Sequence, residues 1–141
     1  MSPFDLAQRY VGIQEIAGDK DHPLVQWWLS LCGFSTDTHD EVPWCSAFVN
    51  GICWELRLPR SKSAMARSWL NVGVPLTNIS QAQLGDIVVL SRGAVAAPAG
   101  HVGFYAAHDT DHVSVLGGNQ SDGVCVKGFP IASVLSVRRI V

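Results

Sequence analysis

The sequence predicts an α+β domain with helices first and strands afterwards. Apolar residues recur at helical spacing only in the first half of the chain. After Gly73 the texture changes to short β-prone runs separated by Gly, Asp and Asn. The connections are short, and no internal repeat, heptad pattern or linker divides them. With 141 residues, 48% hydrophobic and 16% charged, one domain spanning 1–141 has enough apolar surface to fill a core.

Each element has a local reason. Ser2-Pro3-Phe4-Asp5 starts a helix, with Ser2 as cap, Pro3 in the first turn and Asp5 completing a capping box, and Gly12 marks its expected end. A second helix is expected over 23–32, where Leu24, Trp27, Trp28 and Leu31 follow the helical period and Gly33 supplies the stop. This spacing puts Trp27 on the apolar face and leaves Trp28 partly buried or exposed. Residues 35–41 are polar and turn-rich. From Trp44 onward, Cys45, Phe48, Val49, Ile52, Cys53 and Leu56 form the stripe of a third helix that ends before Leu58-Pro59. A short helix follows over 64–70, with Trp69 inward. The strands are expected at 87–90, 102–105, 112–116, 124–126 and 134–140, with a loop over 92–100 and the sheet packed against the third helix.

Composition excludes several roles. The net charge is -2 with both signs scattered, which leaves no basic footprint for nucleic acid or an anionic membrane surface. No stretch reaches the roughly 20 apolar residues of a membrane span, and residues 1–5 carry no basic segment followed by an apolar run. The expectation is synthesis in the cytoplasm without a secretion address, and a monomer. Cys45 and Cys53 lie on one helix about 12 Å apart in rise, too far to bridge. Cys32, Cys53 and Cys125 read as small buried hydrophobes, and no cysteine pair has zinc-knuckle spacing.

The chemistry concentrates in three places. Pro43-Trp44-Cys45-Ser46 puts a thiol in the first turn of the third helix, where free N–H groups and the positive end of the helix dipole favour the thiolate. Gly100-His101-Val102-Gly103 supplies a base at the start of one strand, and Gly117-Gly118-Asn119-Gln120 a polar group at the end of another. Neighbouring strands lie about 5 Å apart, so His101 and Asn119 are within reach of each other. Cys45, His101 and Asn119 together make a nucleophile, a general base and an orienting group for acyl transfer. Trp44, Gly118 and Gln120, which flank them, are the candidate substrate contacts. Asp86 is expected to cap a turn.

These pieces, in the order Glu41-Val42-Pro43-Trp44-Cys45-Ser46-Ala47-Phe48-Val49, Leu84-Gly85-Asp86-Ile87-Val88-Val89-Leu90, Gly100-His101-Val102-Gly103-Phe104 and Leu116-Gly117-Gly118-Asn119-Gln120, resemble the CHAP and NlpC-type cysteine amidohydrolases and peptidases. That resemblance covers nearly the whole chain and implies a papain-like fold and hydrolysis of an amide in bacterial peptidoglycan. It implies Cys45 as nucleophile, His101 as base and then acid, and Asn119 as the group orienting His101. The position two before Asn119, acidic in some of these enzymes, is Gly117 here.

Some such enzymes bind calcium in an acidic loop before the nucleophile. Asp37, Asp40 and Glu41 occupy that region without the spacing of a calcium loop, so no cofactor is expected. The implied activity is an N-acetylmuramoyl-L-alanine amidase of an endolysin. The alternatives are a stem-peptide endopeptidase, including an injected effector with an immunity protein as partner, and, from another class, a non-catalytic wall-binding module that uses the tryptophans. Action in the periplasm after release or delivery follows from the substrate.

Overall fold

The computed structural model describes residues 1–16, 22–35 and 43–140. Helix α1, Pro3–Gln8, begins as expected: the Ser2 hydroxyl accepts from the Asp5 N–H at 3.1 Å and the Asp5 carboxylate accepts from the Ser2 N–H. It ends earlier than Gly12 because the sheet takes over the backbone there. Gly12 donates to the Val124 carbonyl at 3.0 Å, Val124 donates to that of Ile13 at 2.8 Å, and Gln14 bridges to Gly123.

Helix α2, Pro23–Ser30, starts at His22, whose Nδ1 accepts from the Leu24 N–H. The order of burial of its two tryptophans is the reverse of the expectation. Trp28 is fully buried, whereas Trp27 is half-buried and meets Trp54 edge-on at 5.3 Å. The cause is Gly51 on the facing helix, where a Cβ would collide with the Trp28 indole, so only glycine opens the groove that Trp28 fills.

Helix α3, Cys45–Glu55, is buried from Cys45 through Cys53 on every side, as a central helix must be. Its two buried polar residues are satisfied. The Ser46 hydroxyl donates to the Ser63 carbonyl at 2.6 Å and accepts from Trp69 Nε1 at 2.9 Å. Asn50 accepts from the Lys62 N–H at 2.8 Å and donates to the Ser46 carbonyl. These bonds fasten residues 61–63 along the helix. The short helix expected over 64–70 is a 3-10 segment, Ala66–Asn71, and it buries Trp69.

The strands are β1 (Val74–Pro75), β2 (Ile87–Ser91), β3 (Gly100–His108), β4 (His112–Gln120), β5 (Gly123–Pro130) and β6 (Val134–Arg139). They form one antiparallel sheet in the order β1-β6-β2-β3-β4-β5. The α+β reading therefore stands, with a sixth strand too short to see in the sequence. One face of the sheet carries Ile87, Val89, Val102, Phe104 and Leu116 into the large core with the helices. The other carries Val88, Leu90, Tyr105, Val113 and Val115 into a second cluster with Phe129, Ile131 and Val134. Asp86 caps the turn before β2, accepting from the Gln83 N–H at 2.8 Å, and takes the Arg139 guanidinium on both oxygens at 3.0 and 2.8 Å. It thus ties the start of β2 to the end of β6.

Candidate active site

Cys45 is the first residue of α3 and is 6% exposed. Trp44 before it makes no side-chain cap, so the N–H groups of the first turn are left for other partners. Trp44 holds the helix start in place. Its Nε1 donates to Glu15 at 2.9 Å, its ring stacks on Trp28 at 5.9 Å, and it has no exposed surface.

Burial pushes the Cys45 thiol above its ordinary pKa, while the N–H groups of Val102, Ser46 and Cys45 itself and the charge of Arg92 pull it back. The Val102 contribution has a topological origin. The β4 register meets β3 only at Phe104, Tyr105, Ala107 and His108, so the first residues of β3 are not matched to β4 partners, and the Val102 amide turns to the sulfur. Val102 directly follows His101, the residue expected to be the base.

His101 is 2% exposed and its ring stacks on Phe129 at 5.0 Å. Its Nε2 lies 2.8 Å from Gln120 Oε1. The orientation of the Gln120 amide follows from its other contacts: its nitrogen donates to the Val115 carbonyl at 3.1 Å and the Cys125 carbonyl at 2.7 Å. The reversed amide would set oxygen against two carbonyl oxygens, so Oε1 faces the histidine and can only accept. His101 Nε2 therefore carries the proton and Nδ1 is the basic atom of the neutral ring. Nδ1 is buried and has no hydrogen-bond partner among the described residues. Desolvation, opposed by the Gln120 bond and aided by the charges of Arg92 and Lys127, lowers the His101 pKa to about 4.

The structure thus relates Cys45 to β3 through the Val102 N–H, next in sequence to His101, and on His101 itself Gln120 rather than Asn119 makes the contact. A one-residue bulge is the reason. Gly117 pairs with Cys125 and Gln120 with Gly123, so β4 has one residue more than β5 across the same interval. In a regular strand Asn119 would share the face of Gly117, which lies against His101. With the bulge, Asn119 takes a left-handed conformation with φ of 57° and Gln120 recovers that face.

The three expected substrate contacts are all buried. Trp44 is sealed in the core. Gly118 is an accommodation to that core, since a Cβ there would lie 2.6 Å from the Trp44 ring and 2.7 Å from Phe48 Cβ. Gln120 is 2% exposed and saturated by His101 and two carbonyls. The sequence did carry a signal for the bulge, in the run of turn-forming Gly117-Gly118-Asn119 before a strand end.

Asp37, Asp40 and Glu41 lie outside the described residues. Among the described residues no cluster of three or more His, Cys, Asp or Glu side chains is arranged to hold a metal, and no helix is long and apolar enough to cross a membrane. A surface cavity of about 560 Å³, lined by Trp54, Glu55, Arg57, Leu58 and Arg60, lies at the opposite end of α3. No protein-family model matches this chain, and no curated protein is significantly similar to it.

Proposed function

We propose that the protein is a papain-like cysteine amidohydrolase of the CHAP/NlpC type that cuts an amide of bacterial peptidoglycan, the bond between the muramoyl group and L-alanine. The observation that carries the reading is the buried His101, with Nε2 held by Gln120 and Nδ1 unpartnered among the described residues, one residue before Val102, whose N–H faces the thiol at the start of α3. An unpaired buried polar atom costs about 1–3 kcal/mol; among the described residues His101 Nδ1 and Trp28 Nε1 are the two such side-chain atoms, and of these Nδ1 can take up a proton.

In this mechanism both groups rest neutral, since burial raises the Cys45 pKa and lowers that of His101. His101 Nδ1 takes the Cys45 proton as the sulfur attacks the amide carbonyl. The Cys45 N–H and the helix dipole stabilise the oxyanion, the imidazolium protonates the leaving amine, and water releases the acyl group through the reverse steps. Gln120 holds the ring in the correct tautomer throughout. The site acts on peptidoglycan in the periplasm, as a monomer without a cofactor.

Digestion of purified Gram-negative sacculi by the parent and by Cys45→Ala, with fragments identified by mass spectrometry, tests the proposal. Release of stem peptides with intact glycan, reduced at least ~10³-fold in the variant, is the expected result. Cut stems would make the enzyme an endopeptidase. Full activity in Cys45→Ala would overturn the mechanism, and wall binding by the parent without any cleavage would make the domain a binding module.

A further inference from the structure

Arg60 is fastened by one nitrogen of its guanidinium. Its Nη1 donates to the Leu31 carbonyl at 3.1 Å and to Asn50 Oδ1 at 3.3 Å, which uses both Nη1 protons and fixes the plane between the end of α2 and the middle of α3. Nε and Nη2 make no hydrogen bond among the described residues. A held guanidinium therefore keeps free the parallel N–H pair that a carboxylate accepts.

Arg60 lines the cavity of about 560 Å³ together with Trp54, Glu55, Arg57 and Leu58, a volume in the small-molecule range of roughly 300–1,000 Å³. Trp54 is 49% exposed, and the edge-on contact with Trp27 at 5.3 Å steadies its ring while half of it stays in solvent. Such an indole offers a flat apolar surface to the C–H face of a sugar ring. At the end of α3 the Leu58 N–H donates to the Cys53 carbonyl at 2.9 Å and Arg57 takes a φ of 57°, so the chain turns sharply and Arg57 and Arg60 reach the same cavity as Trp54.

The charges there do not cancel. Arg57 is exposed and makes no hydrogen bond or ion pair among the described residues, and Glu55 accepts from the Tyr10 hydroxyl at 2.7 Å without an ion pair to either arginine. Two cations and one carboxylate leave an excess of positive charge beside an exposed aromatic ring. A neutral sugar would leave the arginines unused, and a simple anion would leave Trp54 uncovered.

We propose that this cavity binds a sugar that carries a carboxylate, with Trp54 against the ring, Arg60 and Arg57 on the carboxylate and Glu55 accepting from a hydroxyl. The identity of the sugar as muramic acid rests on the proposed function. Hydrolysis of the muramoyl–L-alanine amide adds water across the C–N bond, leaving the amine on the peptide and a free lactyl carboxylate on the glycan. The cavity, at the opposite end of α3 from Cys45, then holds the enzyme on glycan that it has already stripped.

Ligand-observed NMR titration of the parent with N-acetylmuramic acid, N-acetylglucosamine and lactate separates ring from charge. N-acetylmuramic acid should bind at least about tenfold tighter than either of the others, and less tightly as salt is raised. Cys45→Ala should bind it as the parent does. Trp54→Ala and Arg57→Gln, at exposed positions, and Arg60→Lys, which keeps the charge and loses the N–H pair, should each reduce the preference, with circular dichroism verifying that they are folded. Equal affinities for the three ligands, a preference untouched by all three cavity variants, or its loss in Cys45→Ala would overturn the site. Cleavage of sacculi without the preference would overturn the site alone. The preference without cleavage would uphold a site for carboxylated sugars and overturn the hydrolase reading.

Discussion

Gln120 is the residue on which the site's geometry turns, because its amide is locked by two carbonyls and leaves Oε1 only one partner, His101. Gln120→Leu should therefore lower kcat by about 10²-fold or more through loss of the tautomer and orientation of the base, whereas Asn119→Ala should change kcat only a few-fold. Steady-state rates of the two variants measured side by side decide it, and an inactive Asn119→Ala with an active Gln120→Leu would reverse the assignment.

The pH profile is a second expectation at this scale. With His101 depressed to about 4, the base stays unprotonated through mildly acidic pH, so kcat/KM should fall on its acid limb near 4 rather than near the ordinary histidine value of 6.5. An acid limb near 6.5 would mean that His101 is more hydrated in solution than its burial implies. The residue types of this site were legible from the sequence, since Cys45, His101 and a polar group after two glycines are recognisable by kind and order. Which of two adjacent amides meets His101 was not legible. One inserted residue changes the face of everything after it, and strand periodicity alone does not reveal the insertion.

Among the elements, α3 and the β3–β4 rim are fitted to one another through missing side chains. A Cβ on Gly118 would enter the space of Trp44 and Phe48, and a Cβ on Gly117 would lie 2.5 Å from Gln120 Oε1 and 3.5 Å from His101 Nε2. The two alanine variants should separate packing from positioning. Gly118→Ala should cost about 1–3 kcal/mol in urea unfolding, since rings and helix must shift, and Gly117→Ala should reduce kcat by more than its loss of stability explains.

The element boundaries that failed to follow the sequence did so for contacts between distant segments. Helix α1 stops at Gln8 because β5 claims the backbone of residues 12–14, and Trp28 goes inward because Gly51, 23 residues further on, opens a groove for it. The apolar period of α3, by contrast, showed itself directly. Even there the sequence suggested one inward stripe, while the helix is buried all round because sheet, α2 and the 61–63 segment each cover a side.

At the scale of the whole molecule, the buried site has a consequence for stability. A histidine with a depressed pKa in the folded state takes up a proton more readily when unfolded. Its contribution is therefore fully present above pH 6.5 and is lost as pH falls from 6.5 through about 4. A shift of that size corresponds to about 3 kcal/mol across the window. Urea midpoints at pH 7 and pH 4.5 should show the parent losing more stability on acidification than His101→Asn, and equal losses in both proteins would contradict it. The Asp86–Arg139 pair joins β2 to β6 and includes neither Cys45 nor His101. Asp86→Ala should lower stability by about 1–2 kcal/mol, discounted because the Arg139 side chain is one-third exposed, while kcat stays near that of the parent.

The sequence by itself determined the order of helices and strands, the α+β class and the identity of the thiol and imidazole, because hydrophobic period, caps and turn residues act over a few positions. Tertiary structure alone decided which amide faces His101 and that Trp44 and Gly118 serve the core. Each of these depends on strand register, where a single residue of offset moves a side chain from one face of the sheet to the other.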